Sequence, residues 1–451
     1  MRASWSSPWL FILAATGSAV GLGNIWRFPY VTGENGGGAF VLLYLFFVFF
    51  MGLPILLSEI LIGKRAQKNP VNAMKLVALE SGAGERWKII GALGVLAGCL
   101  ILSFYSVIAG WCLSYVYDYL IEAKPSLSIQ EAENKLSNLT SSSIRLIFWH
   151  SFFMFVTVLI VSRGLKKGFE LATKLLMPIL FLMLLILVFY AIFIGDLLST
   201  VTYLFKPDFA RLTAKTILLA MGQAFFSLSI GMGAIMVYGS YLPKKISAKK
   251  CAISIAFADT LVALLAGFAI FPIVFAYGLE PTQGPGLVFV TLNVAFSEMA
   301  FGRFFGLIFF LLLSIAAWTS SISLIEPGVA WLCEAFNLSR PRASAFLGFI
   351  IWLVGLGSVF SFNIWSDLKL FGMNFFENVE FLSTSLILPF GGMMLVIFVG
   401  WLMNKRTVVS ELNLSSSTLF NKLFFFLVKY LAPIGVLIVL IENSGIRKLV
   451  F

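Results

Sequence analysis

The chain is poor in charge. Asp, Glu, Lys and Arg make up only 12% of its 451 residues, against 60% hydrophobic residues, and the mean hydropathy is +0.97. That balance excludes a water-soluble globular domain. Histidine occurs once, as His150, and neither a metal-ligand cluster nor a nucleophile–base motif can be drawn. Chemistry of the enzymatic kind is therefore not expected. His150 opens an apolar stretch and reads as a packed or interfacial side chain. The four cysteines, Cys99, Cys112, Cys251 and Cys333, lie in or beside apolar stretches without metal spacing or a disulfide framework. They read as small packing residues. Polar segments long enough to fold alone are also missing, so the chain reads as one membrane domain over 1–451.

What is present is a series of apolar stretches, each near the roughly 20 residues that cross a bilayer. Eleven can be drawn, at about 8–30, 39–63, 88–120, 146–162, 169–195, 214–241, 251–277, 303–335, 343–362, 381–403 and 423–441. The first is too long, and too polar inside, for a cleaved signal peptide. The net charge of +11 does not imply nucleic acid, because the charge is distributed by side. With the N-terminus cytoplasmic, 21 of the 32 Lys and Arg residues fall on the inner side, in clusters such as 64–88, 163–174 and 244–250. The positive-inside rule then places the N-terminus inside and, with eleven crossings, the C-terminus outside.

Residues 17–29 interrupt the first stretch. Gly17, Gly21 and Gly23 stand at spacings of four and two, followed by Asn24 and Arg27. Glycine weakens a helix, and an Arg in lipid is costly. A helix broken at mid-depth, with its freed backbone groups facing a ligand, accounts for all five residues. The pair Gly21/Gly23 recurs as Gly231/Gly233 five stretches later. Five is odd, so the second copy enters from the opposite side. That predicts inverted repeats, one over about 8–195 and the other over about 214–403, with an extra helix at about 423–441. The segment from Glu122 to Ser143 reads as an external surface loop. Residues 280–302, with Pro281, Gly284 and Pro285, form a second external connection able to dip back as a lid.

Several groups could hold a small hard cation. If the first helix opens near Val20–Gly23, the carbonyls of Gly17, Ala19 and Val20 lose their helical partners, and Asn24 adds an amide oxygen. A Gly17-x-x-x-Gly21 packing face between helices is the alternative. Ala316 to Ser321 places three hydroxyls in succession, at Thr319, Ser320 and Ser321. Single hydroxyls usually bond back to their own helix, but three opposite a broken helix suit sodium. Asp259 lies inside the seventh stretch, where a carboxylate marks a functional site by default; a structural acid is the alternative. Glu59 and Glu326 read either as site acids or as ties on unwound backbone.

These residues closely resemble the neurotransmitter:sodium symporter family, and above all its bacterial amino-acid transporters. The likeness is carried by Gly17–Pro29, by Glu34-Asn35-Gly36-Gly37-Gly38-Ala39-Phe40, by Gly222–Gly233 and by Thr319–Pro327, and runs over nearly the whole chain. It implies an all-α polytopic membrane protein of the leucine-transporter fold, with eleven transmembrane helices, a 5+5 inverted repeat and broken helices 1 and 6. It implies sodium-coupled import by alternating access across a bacterial inner membrane. The resemblance puts a first sodium ion on the Ala19 carbonyl with Asn24, Ser227 and Asp259. A second falls on the carbonyls of Gly17, Val20 and Ala316 with Thr319 and Ser320. Substrate would contact Ala19, Gly21 and Gly23, with Tyr105 on its carboxylate. Ile101, Phe226, Ser229, Met232, Ser320 and Leu324 would line the side-chain pocket, Phe226 being the lid. Arg27 with Glu380 would form the outer gate and Arg2 with Glu334 the inner one; relatives often carry Asp at both acidic positions.

Four details extend the resemblance. Monoamine carriers of the family place an Asp where this chain has Gly21, so the substrate should bring its own carboxylate. Met232 and Leu324 make the pocket apolar, so a hydrophobic L-amino acid is expected. Asp259 stands where many relatives have Asn and rely on chloride, so chloride independence is expected. Gly168 and Pro178 resemble a spacing in bacterial members that lets the fifth helix unwind toward the second sodium site. A channel would need a continuous polar file, whereas the polar groups here cluster at mid-depth. A sensor would bind the ligand without accumulating it.

Overall fold

The computed structural model describes residues 4–121, 127–281, 286–412 and 418–443. The described residues are helical throughout, apart from turns and one isolated bridge between Leu370 and Met373. Among the described residues, nine helices are long and apolar enough to cross a membrane: Gly38–Ala66, Glu85–Ile121, Ser143–Ser162, Leu165–Ile194, Ala248–Ala276, Gly302–Phe336, Arg340–Phe360, Phe375–Leu402 and Leu419–Glu442. The pair Pro8–Ala19 and Gly23–Glu34, bent by 52°, makes a tenth. The remaining expected crossing, the sixth, residues 214–241, falls short as a single helix. It is split into Ala214–Ser227 and Ala234–Ser240, and eleven crossings rest on counting the two together.

Both breaks have local causes. Pro8–Ala19 starts at Ser7, whose hydroxyl accepts from the Leu10 N–H at 3.2 Å, with Pro8 at the first helical position. It stops because Val20 turns extended, with ψ 97°, ahead of Gly21. In the second break Gly231 and Gly233 take φ of +85° and +70°, which a side chain rarely adopts. A Cβ at Gly231 would also lie 2.6 Å from the Leu388 carbonyl oxygen.

Burial sorts the helices into inner and outer. In the most apolar window of Gly302–Phe336, 78% of residues are buried, against 33% in Ser143–Ser162 and 39% in Leu165–Ile194. The last two present Phe148, Phe155, Leu182 and Phe189 outward, as lipid-facing helices do. The two broken helices lie inside this shell.

The external segments differ in part from expectation. Residues 128–140 are not irregular: Ile129–Thr140 is a helix, closed by a capping box between Ser128 and Glu131. Residues 122–126 lie outside the described residues, as do Gly284 and Pro285. Past them, Leu287–Glu298 is a buried helix that dips back into the bundle. Its Phe289 ring packs 6.2 Å from Trp26 and 5.7 Å from Trp111.

Candidate functional site

The two breaks face each other and are bonded together. Ser229, held at φ +51°, donates its hydroxyl to the Ser18 carbonyl at 2.8 Å. The Ser320 hydroxyl, on Gly302–Phe336, lies 3.2 Å from that same carbonyl, 3.4 Å from the carbonyl of Gly17 and 3.5 Å from that of Val20. Gln223 Nε2 donates to the Gly23 carbonyl at 2.8 Å. The Gly231 N–H donates to Glu59 Oε1 at 2.6 Å, so Glu59 ties down unwound backbone. Glu326 does other work: it accepts from Tyr241 Oη at 2.5 Å and pairs with Arg340, beyond the end of the second broken helix.

Between the breaks lies a narrow cavity of about 20 Å³. Its walls contain Ala19, Gly21, Gly23, Ile101, Tyr105, Phe226, Ser229, Met232, Ser320 and Leu324, together with Ser18 and Leu22. All ten residues named for the substrate thus meet in one place. The Leu22 N–H donates to Tyr105 Oη at 3.3 Å. A Cβ built on Gly21 would stand 2.5 Å from Ser320 Oγ and 2.9 Å from Tyr105 Oη, and one on Gly23 would stand 2.8 Å from the Phe226 ring. A side chain at either position would require these groups to shift.

Beside the cavity, three of the residues named for the first sodium ion form one fully buried cluster. Asn24 Nδ2 donates to Ser227 Oγ at 3.0 Å and to Asp259 Oδ1 at 2.7 Å, and Ser227 Oγ donates to Asp259 Oδ2 at 2.5 Å. Asn24 Oδ1 is buried without a hydrogen-bond partner. An amide oxygen left bare beside a carboxylate is an arrangement that suits a cation. Ala19, the fourth residue named for that ion, lines the cavity wall.

The residues named for the second ion divide. Ser320 reaches the freed carbonyls of Gly17 and Val20, as above. Thr319 Oγ1 bonds back along its own helix, to the Ala316 carbonyl at 2.9 Å and the Ile315 carbonyl at 3.3 Å. It still faces the first break, because a Cβ on Gly17 would lie 3.3 Å from Thr319 Cβ and 2.6 Å from Met177 Sδ. Ser321 turns away to Thr157, at 2.9 Å. Met177 precedes Pro178 in Leu165–Ile194, and Gly168 sits in the π-turn at that helix's start.

The gates are less complete. No ion pair joins Arg27 to Glu380 among the described residues; the guanidinium instead lies 5.1 Å from the centre of the Phe226 ring. The longer Glu in place of Asp changes the reach. Arg2 lies outside the described residues, while Glu334 accepts from the Asn69 N–H at 3.1 Å and from Asn69 Nδ2 at 2.7 Å. At the same end of the bundle the Ser6 N–H and hydroxyl both bond the Glu170 carboxylate at 2.6 Å, and Trp5 Nε1 donates to the Tyr238 carbonyl at 3.1 Å.

Tyr44 was not singled out by sequence reasoning. Its hydroxyl lies 3.0 Å from Ser227 Oγ and 3.5 Å from Asp259 Oδ2. A hydroxyl within the apolar 39–63 stretch was the available signal. Gln223 and Ser18 stood inside quoted motifs without a role.

Helices broken at mid-bundle around a narrow cavity, with a polar cluster beside it, define a membrane carrier rather than a pore or an enzyme. The model of the sodium:neurotransmitter symporter family matches residues 2–138 and 123–448. An uncharacterized sodium-dependent transporter of Bacillus subtilis, YhdH, is 36% identical over 444 residues, covering 98% of both chains. The human sodium- and chloride-dependent taurine transporter is 27% identical, over 79% of this chain and 66% of that one. The crystal structure of MhsT in complex with L-phenylalanine superposes with a TM-score of 0.91 at 43% identity, covering 98% of this chain and 100% of that one. The chain belongs to the sodium:neurotransmitter symporter family and is a polytopic, sodium-dependent membrane transporter.

Proposed function

We propose that this protein imports hydrophobic L-amino acids with sodium by alternating access, and that it needs no chloride. The observation that carries the substrate class is the packing around Gly21. A carrier of amines needs a carboxylate there, and the contacts of 2.5 and 2.9 Å with Ser320 and Tyr105 leave none a place. The ligand then supplies its own carboxylate, facing Tyr105 Oη and the opened backbone at 21–23. Ile101, Met232 and Leu324 receive an apolar side chain, and methionine adapts to more than one shape. The phenylalanine bound to MhsT supports the same class.

In this reading Asn24, Ser227, Asp259 and the Ala19 carbonyl hold one sodium ion. The carbonyls of Gly17, Val20 and Ala316, with Thr319 and Ser320, hold the other. Thr319 releases its bond to Ala316 when the ion binds. Asp259 replaces chloride: Ser227 and Tyr44, the hydroxyls an anion would need, already point at its carboxylate. The two broken helices are the paired elements of inverted repeats over about 8–195 and 214–403, with an added helix at about 423–441. The N-terminus faces the bacterial cytoplasm. Arg27 and Glu380 close the outer side and Arg2 and Glu334 the inner.

Equilibrium binding of L-phenylalanine and L-leucine to the purified chain tests this reading. Sodium should be required and chloride should not. Tyr105→Phe removes a charge-assisted hydrogen bond worth about 1.5–3 kcal/mol, so affinity should fall roughly 10- to 150-fold. Tight binding of amines lacking a carboxylate would overturn it.

A further inference from the structure

The bundle carries a second, quite different cavity on its lipid-facing surface. It has a volume of about 100 Å³ and lies between Gly38–Ala66, Ala248–Ala276 and Leu419–Glu442. Phe49, Phe50 and Leu57 form one wall, Ile253 a second, and Leu423 and Leu427 a third. Phe49, Phe50, Ile253 and Leu423 are 37–44% exposed, so the groove opens sideways. Every lining residue but one is apolar. The exception is Lys249, whose Nζ lies 3.7 Å from the centre of the Phe420 ring.

The groove has direction. Lys249 and Phe420 stand at the first turns of their helices, where these enter the apolar layer, while Phe49 and Phe50 lie in the middle of theirs. A span of eight residues, from Leu57 back to Phe49, is about 12 Å of helix. The polar end also carries Lys244, Lys245, Lys250, Lys405 and Lys422, by sequence. One carboxylate on that side, Glu411, is taken up by Lys64 at 3.7 Å and Arg65 at 3.1 Å. No ion pair is formed by Lys249 among the described residues. A cation at the boundary of the apolar layer with an apolar groove running inward matches one kind of occupant: a negatively charged headgroup with an acyl chain below it.

We propose that this groove is a binding site for an anionic glycerophospholipid of the leaflet on the lysine-rich side. Lys249 meets the headgroup phosphate, with Phe420 beneath it, and one acyl chain lies along Phe49, Phe50, Leu57 and Leu423. The site is on the same helix as Asp259, but ten residues away and on the outside of the bundle. Binding of lipid and binding of amino acid are therefore read separately.

The test titrates the purified full-length chain with phosphatidylglycerol and, separately, with phosphatidylcholine, read by native mass spectrometry. The wild type should retain phosphatidylglycerol at least fivefold more strongly. Lys249→Gln should abolish that preference. Leu423→Trp, which fills the groove and keeps the charge, should weaken retention of the same lipid. Sodium-dependent amino-acid binding in phosphatidylcholine serves as the folding control for both variants and should not change. Equal retention of the two lipids by the wild type, or an undiminished preference in both variants, overturns the proposal. So does a dimer crosslinked through Ile253 and Leu423, which would make the groove an interface between copies.

Discussion

Gly21 lacks a side chain, and its neighbours leave no space to add one. Ala in its place would bring a Cβ to 2.5 Å from Ser320 Oγ, a hydroxyl that also reaches the first break. Overpacking of this kind costs about 1–3 kcal/mol, so Gly21→Ala should weaken amino-acid binding roughly 5- to 150-fold. Binding isotherms of the variant check this, and an unchanged affinity would place the substrate elsewhere. Asp259 is the second decisive residue. Asp259→Asn keeps the shape and removes the charge. Uptake without chloride should fall, and added chloride should restore part of it. Unchanged chloride-free uptake in that variant would remove the case for a built-in anion. Much of this site was legible in the sequence, because glycines and a carboxylate inside apolar stretches are out of place whatever surrounds them. Tyr44 was not, since its role exists only once Gly38–Ala66 packs against Ser227 and Asp259. Nor was the position of Arg27, whose guanidinium sits over Phe226 instead of on Glu380.

At the scale of elements, the two broken helices are held by different means. The first is bridged from outside by Ser229, Ser320 and Gln223, all donating to its carbonyls. The second is held by Glu59, which accepts from the Gly231 N–H at 2.6 Å. Glu59→Ala would leave that buried N–H unpaired, at a cost of about 1–3 kcal/mol. Hydrogen exchange should then quicken at amides 229–233 and stay unchanged in Gly302–Phe336. Equal effects in both places would mean that Glu59 supports the bundle at large. Both breaks could be read from glycine spacing, but the helix Ile129–Thr140 was missed. Its signal was present, Ser128 followed three residues later by Glu131, and was outweighed by the polarity of the segment. The span 214–241 showed the opposite limit. Its hydropathy is that of one crossing, but three left-handed residues, Ser229, Gly231 and Gly233, divide it into two pieces.

For the whole molecule, the fold is that of a sodium-dependent carrier with a narrow cavity between its two broken helices. A zwitterionic amino acid adds no net charge, so each sodium ion moves one positive charge inward. That is worth about 2.3 kcal/mol per 100 mV of membrane potential. Adding an apolar amino acid to protein in a supported membrane, with sodium present, should therefore give an inward current, and none with potassium alone. The N-terminal segment is tied to the bundle by contacts far apart in sequence, Trp5 with Tyr238 and Ser6 with Glu170. Pairings across more than 160 residues leave no local trace, so these contacts were beyond sequence reasoning.

The most direct measurement of the central claim is uptake into proteoliposomes under an imposed inward sodium gradient, with every standard amino acid offered in turn. The account predicts accumulation of apolar L-amino acids that collapses when the sodium gradient is dissipated and persists when gluconate replaces chloride. Failure of every amino acid to accumulate with sodium would contradict it.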